Sequence, residues 1–315
     1  METIWLVGAG YMAKEYAKVL KSLGSELIVI GRGKETAADF EQALKIPVVT
    51  GGVDNYVQSS KIIPKHAIVT VDAQYLCDVT RKLVDAGVQN LLVEKPGALN
   101  VADLEKLEKP ARQRKSRIFI AYNRRFYSSV LKAKEMIKED GGCLSFVFEF
   151  TEWSHIIKDL KKSEGEKRKW FVANSTHVVD LAFYLGGRPK KINCFTSGGL
   201  DWHPSASVFC GAGVSDIGAL FSYHANWEAP GRWGVEVLTG KHRLILRPLE
   251  ELQVQNLGSV SVEKKEIDDG LDRSYKPGLY RETESFLASE HGHLKPLADQ
   301  VTDMKLYYRM ANYES

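Results

Sequence analysis

The sequence predicts an α/β chain in two parts. A doubly wound parallel sheet comes first, and an α+β domain with a mostly antiparallel open sheet follows. Three observations carry this: short apolar runs alternate with helical periods up to residue 122, strand-like runs without intervening helices come later, and a glycine turn sits directly after the first run. Its length of 315 residues suggests two domains, 1–122 and 123–315, with the C-terminal helix packing back on the first.

The elements read in order. Residues 3–8 (TIWLVG) are an apolar strand, and Ala13, Tyr16, Ala17 and Leu20 then repeat at helical spacing until Gly24 stops the helix. ELIVIG at 26–31 is a second strand, a helical pattern covers 35–45, and PVVT is a third strand. AIVTV at 67–71, NLLVE at 90–94 and RIFIAY at 117–122 complete six, with helices between them. Near-continuous apolar strands alternating with helices argue for a parallel sheet covered on both faces. A helix over 128–138 leads to LSFVFEF, and another covers 175–185. KKINCF, IGALFSYHAN, WGVEVLT and HRLILR then follow as strands, and the chain is helical again from Gly278.

Bulk composition excludes several function classes. The chain is 44% hydrophobic with a net charge of +3, so it has ample core and no nucleic-acid footprint in its charge. No run of 18 apolar residues predicts a membrane span, and the first residues read as a core strand rather than a secretion signal, so a cytoplasmic location is expected. Cys77, Cys143, Cys194 and Cys210 are scattered, as free thiols in a reducing compartment would be. His155, His203 and His224 lack metal-ligand spacing, and no metal site is expected.

Gly8-Ala9-Gly10-Tyr11-Met12-Ala13 reads G-x-G-x-x-A between a strand and a helix. The first glycine permits the tight turn, the second lets backbone approach a pyrophosphate, and the small Ala13 lets helix and strand pack closely. The phosphates would rest on the helix N-terminus, at Tyr11 and Met12, where N–H groups and the helix dipole favour an anion. This is a Rossmann dinucleotide site. An NAD site places a carboxylate at the end of the second strand to bond the ribose 2′-hydroxyl. Here Gly31 is followed by Arg32, Gly33 and Lys34, and a guanidinium there pairs with a 2′-phosphate, so NADP(H) is favoured over NAD(H). Thr70, on the fourth strand, is assigned to the same site.

Glu94-Lys95-Pro96 follows the fifth strand directly, which places Lys95 at the carboxyl end of a parallel sheet, where ligands bind. A second Glu-Lys-Pro at 108–110 ends a charged helical pattern and reads as surface.

Together VGAGYMA, LLVEKPGAL, AYNRRF at 121–126 and NSTHVVDLAFYLGG at 174–187 resemble the Gfo/Idh/MocA oxidoreductases, the relatives of glucose–fructose oxidoreductase and inositol dehydrogenase. The resemblance implies hydride transfer between nicotinamide and a hydroxyl or keto carbon of a sugar, cyclitol or nucleotide-sugar. It implies Lys95 beside the nicotinamide, with Glu94 in the same turn, and His177 as the proton-transfer residue. Asn123 and Arg124 are implied near the substrate, and a homodimer or homotetramer through the C-terminal sheet. The family's Asp four residues before this His is Ala173 here, and VDAQYL at 71–76 replaces a turn that in relatives often contains Pro and a His. The first departure opens an alternative, a silent cofactor-binding regulatory or scaffold protein. Another is a glycosidase working through transient oxidation.

His177 follows the N-cap types Asn174 and Ser175, and Asp180 lies three residues on, on an adjoining face. Asn174 and Asp180 are therefore substrate-side candidates. In the run Lys167-Arg168-Lys169-Trp170, Arg168 would contact a substrate anion and Trp170 would stack on a ring. Trp153 and Tyr280 are further candidate sugar platforms.

Overall fold

The computed structural model describes residues 3–288 and 291–313. The chain divides into two compact units: residues 1–122 with 274–304, and residues 123–273 with 305–315.

The first unit is built on strands β1 (Thr3–Val7), β2 (Glu26–Ile30), β3 (Val48–Val49), β4 (His66–Val69), β5 (Asn90–Glu94) and β6 (Arg117–Ala121). They pair in parallel in the order β3-β2-β1-β4-β5-β6, and Lys295–Pro296 adds a short antiparallel edge to β6. This is the doubly wound order, which reverses between β1 and β4. Ile4 to Val7, Ala67 to Val69 and Leu91 to Val93 are buried on both faces, which is why these strands read as unbroken apolar runs.

Residues 274–304 come from the far end of the sequence yet belong to this unit. The helix Leu279–Leu287 lies against the first helix, Tyr11–Ser22, and buries Glu282 beside Tyr16. Phe286 of the same helix meets His66 and Phe119 edge-on.

The second unit carries an eight-stranded sheet from β7 (Ser145–Glu149), β8 (Pro189–Ser197), β9 (Val208–Ser215), β10 (Leu220–Asn226), β11 (Gly234–Leu238), β12 (His242–Leu246), β13 (Gln253–Asn256) and β14 (Val262–Lys264). Its order is β14-β13-β12-β11-β7-β10-β9-β8, antiparallel except for the parallel β7–β10 pair. The apolar helix Thr176–Gly186 covers one face, with Phe183 edge-on to Phe146, Phe148 and Phe221. The four cysteines are free thiols. Among the described residues, no helix is long and apolar enough to cross a membrane.

Candidate active site

In the first unit a cleft of about 440 Å³ opens at the carboxyl ends of the parallel strands. Gly8, Gly10, Arg32 and Thr70 line it, together with Gly51, Gly52, Asp72 and Tyr75. Gly8 has φ +122°, and a Cβ there would collide with Thr70 Oγ1 and stand 2.8 Å from its carbonyl oxygen. Thr70 is itself tied to β1, its Oγ1 donating to the Val7 carbonyl at 3.1 Å. Gly10 is different: a Cβ built on it meets nothing within 4 Å, so the glycine keeps open space in front of the helix that starts at Tyr11. That helix has no side-chain cap, which leaves its first N–H groups to an anion. The cradle fits a dinucleotide pyrophosphate.

Arg32 lies with its guanidinium 4.6 Å from the Tyr75 ring centroid. Stacking leaves the edge of the guanidinium free to donate. Tyr75 belongs to the VDAQYL departure, and its part in the cleft was not legible without knowing what Arg32 packs on. Tyr11, Met12, Ala13 and Lys34 lie on the flanking helices, Glu94 ends β5 and Lys95 follows it, none of them on the walls of this cleft.

Lys95 sits in a tight turn closed by the Gly97 N–H donating to the Glu94 carbonyl at 3.0 Å. The Lys95–Pro96 peptide is cis. Gln300, fully buried, donates from Nε2 to the Pro96 carbonyl at 2.8 Å and so holds the turn from behind. Burial pushes the Glu94 carboxyl up, while Lys95 and the Tyr16 hydroxyl pull it back down, with a net rise. Tyr16 in turn donates to Glu282 at 3.3 Å, so the Glu-Lys-Pro turn rests on a buried polar network that the sequence did not disclose.

In the second unit His177 is buried in the first turn of the helix Thr176–Gly186. A π-helical turn, Phe171–Ser175, precedes it and contains Ala173. Such turns cluster at functional sites because they redirect side chains within a helix. Beside them lies Glu152, buried and missed by sequence reasoning. It accepts from Asn174 Nδ2 at 3.0 Å and from Ser175 Oγ at 2.7 Å, and Arg232 stands 3.6 Å away. A carboxylate thus lies at this helix start although position 173 has none. Asp180 accepts two bonds of 2.7 Å from Arg125, on its Nε and Nη2. Burial works against the Arg125 charge, but Asp180 overcomes it and raises the guanidinium pKa.

Trp233 lies 6.1 Å from the His177 ring, centroid to centroid. Arg124 and Arg232 stack on it at 4.8 and 4.6 Å, and Arg232 also lies 4.7 Å from Trp153. Asn123 is buried just ahead of Arg124. By contrast Arg168 pairs with Glu164 on an exposed turn, and Trp170 is buried edge-on to Trp202 at 6.3 Å. Among the described residues, no group of three or more His, Cys, Asp or Glu is placed to hold a metal ion.

The order β3-β2-β1-β4-β5-β6 and the glycine cradle define a dinucleotide-binding fold. Residues 3–122 match the family described as "Oxidoreductase family, NAD-binding Rossmann fold". No curated protein sequence matches the chain. Among solved structures it is similar to levoglucosan dehydrogenase in complex with NADH, with a TM-score of 0.80 at 17% identity, covering 99% of this chain and 96% of that one. It is also similar to UDP-N-acetylglucosamine 3-dehydrogenase GnnA from Acidithiobacillus ferrooxidans, at 0.75 and 14%, covering 99% and 98%. A dehydrogenase from Chromobacterium violaceum gives 0.77 and 17%, covering 98% and 94%.

Proposed function

We propose that the protein is an NADP(H)-preferring oxidoreductase that oxidises a hydroxyl carbon of a sugar, cyclitol or nucleotide-sugar, or reduces the corresponding ketone. The observation that carries this is the glycine cradle of Gly8 and Gly10 at the switch point of the parallel sheet. The similarity to sugar and nucleotide-sugar dehydrogenases supports the substrate class.

Gly8, Gly10, Tyr11, Met12, Ala13 and Thr70 would hold the dinucleotide, with Arg32 and Lys34 at the 2′-phosphate and Glu94 and Lys95 on the nicotinamide side. The nicotinamide, when bound, accepts or supplies the hydride. His177 takes the proton from the substrate hydroxyl, because a neutral imidazole is a base near neutral pH. Lys95 stabilises negative charge that develops on that oxygen. Asn123, Arg124 and Asn174 orient the sugar. The buried pair with Arg125 supports Asp180 as the group that fixes the His177 helix, and the local partners of Arg168 and Trp170 lend no support to direct substrate contact. The exposed face of the eight-stranded sheet, where Phe195 and Leu220 are each 65% exposed, is the surface we assign to a homodimer or homotetramer.

The test is turnover of a panel of sugars, followed by the absorbance of the reduced cofactor. Lys95→Ala and His177→Ala are expected to lose about 10²- to 10⁴-fold in kcat, the usual contribution of an acid–base group. Unchanged rates in either variant refute the assignment. Ala173 favours a second reading, a cofactor-binding protein without catalysis. Tight NADPH binding with no turnover of any sugar would support that one.

A further inference from the structure

We infer that the substrate carries an oxyanion on its sugar moiety, a carboxylate or a phosphate, and that Arg124, Arg232 and the Trp233 indole N–H recognise it. This rests on the oxidoreductase reading for its substrate, and on the second unit alone for its geometry.

Two guanidinium carbons lie 4.8 and 4.6 Å from the centroid of one indole ring, 6.1 Å from the His177 ring. Like charges gathered on one ring require compensating negative charge. Glu152 stands 3.6 Å from Arg232 and already accepts from Asn174 and Ser175. Among the described residues Arg124 has no carboxylate partner, only the rings of Trp233 and Tyr127. Trp233 is 5% exposed, and its Nε1 has no hydrogen-bond acceptor among the described residues. The cluster therefore has donors in excess of acceptors, the composition that an oxyanion completes.

The arrangement is also rigid. Arg232 is held between Trp153 and Trp233, 4.7 and 4.6 Å from their centroids. The loop that carries it is tied down by Trp153 Nε1 donating to the Gly231 carbonyl at 3.0 Å. A Cβ on Gly231 would stand 2.9 Å from Thr151 Cγ2, so the loop backbone lies closely against that residue. Guanidiniums stacked on rings keep their in-plane N–H groups for a bidentate partner. Because the ring face of Trp233 is covered by guanidiniums, it does not serve as a stacking platform for a neutral sugar.

The experiment is calorimetric titration of the cofactor-loaded protein with glucuronate, glucose 6-phosphate and UDP-glucose, each compared with glucose. Glucuronate and glucose 6-phosphate test a carboxylate against a phosphate on the sugar, and UDP-glucose tests a diphosphate outside it. We expect glucuronate or glucose 6-phosphate to bind about 10- to 100-fold more tightly than glucose, the span of one or two charge-assisted hydrogen bonds. That ratio is expected to collapse to within a few-fold in both Arg124→Gln and Arg232→Gln, with Arg232→Lys intermediate, and to shrink with added salt in the wild type. Equal binding of charged and neutral sugars, preference for UDP-glucose alone, no binding of any charged sugar, or a preference that survives both substitutions overturns the inference. Turnover of neutral sugars without anion preference would sink this inference and leave the oxidoreductase standing. Tight binding of a charged sugar without any hydride transfer would do the reverse.

Discussion

Gly8 and Arg32 divide the cofactor problem between shape and charge. At Gly8 the left-handed φ of +122° and the closeness of the Thr70 carbonyl both exclude a side chain. Gly8→Ala is expected to cost about 1–3 kcal/mol, lowering the melting temperature by several degrees and weakening NADPH and NADH alike. A variant that melts and binds like the wild type would show that the turn is not required. Arg32, in the NADP(H)-preferring reading we propose, acts on one cofactor only. Arg32→Ser removes the guanidinium that Tyr75 positions, and should weaken NADPH by about 10- to 100-fold while leaving NADH within a few-fold. Fluorescence titration with the two reduced cofactors measures the ratio directly. Gly8 was legible in the sequence because its constraint is local to a strand, a turn and a helix. Tyr75, Glu152 and Trp233 were not, because their neighbours Arg32, Asn174 and His177 are distant in sequence and only tertiary packing brings them together.

At the scale of elements, the helix Thr176–Gly186 shows how a candidate site residue is held in place. It presents His177 from its first turn, and Asp180, three residues on, anchors the helix to Arg125 by two 2.7 Å bonds. Both partners are largely buried, so removing one charge leaves the other uncompensated. Asp180→Asn is expected to destabilise the second unit by about 3–5 kcal/mol, whereas Arg125→Met with Asp180→Leu together should cost much less. Denaturant titration of the three proteins decides it, and equal losses in single and double variants would show that packing, not charge, matters. Strands behave differently in how openly they announce themselves. β7 and β10 place aromatic residues at alternate positions and stand out, but β9 contains Gly211 and Gly213 and gives no strand pattern. The fold explains them: a Cβ on Gly211 would stand 2.6 Å from the Tyr223 ring, and one on Gly213 would stand 2.7 Å from Phe221. Large rings on β10 fill the space, so the glycines complete the packing of a strand they would ordinarily weaken.

The same unit stores a pH response in His203. It is fully buried, its Nδ1 2.7 Å from the Ala206 carbonyl and its Nε2 2.7 Å from the Tyr313 hydroxyl. Burial lowers its pKa from 6.5 to about 4, against the opposing pull of the Ala206 carbonyl. The folded form therefore binds its proton less readily than the unfolded chain. Between the two values the unfolded state carries the extra proton, so stability is full above pH 6.5, is lost as pH falls towards 4, and levels off below. The loss approaches roughly 3 kcal/mol at the lower end. Melting curves across this range should show that slope in the wild type and a flatter one in His203→Gln. Identical slopes would remove His203 as the cause.

For the whole molecule, neither compact unit is a continuous stretch of chain. The alternation of strand and helix made the parallel sheet legible, and the change of rhythm near residue 123 marked where the first unit hands over. A return of the C-terminal helix was expected from the two-domain organisation, but the pattern of residues 274–304 does not itself name the sheet this segment covers, because an amphipathic helix does not encode its partner. Yet Leu279, Phe286, Leu294, Leu297, Val301 and Met304 are all buried there, each full burial contributing about 1.5–3 kcal/mol. The segment also brings Gln300 to the Pro96 carbonyl and Glu282 to Tyr16, so it supports the Lys95 turn from behind. A fragment of residues 1–122 should therefore lack a cooperative melting transition and fail to bind NADPH, although it contains the whole glycine fingerprint. Joining 274–304 to it through a flexible linker should restore both. If the short fragment melts cooperatively and binds cofactor unaided, the returning segment is a covering layer, and the Lys95 turn does not depend on it.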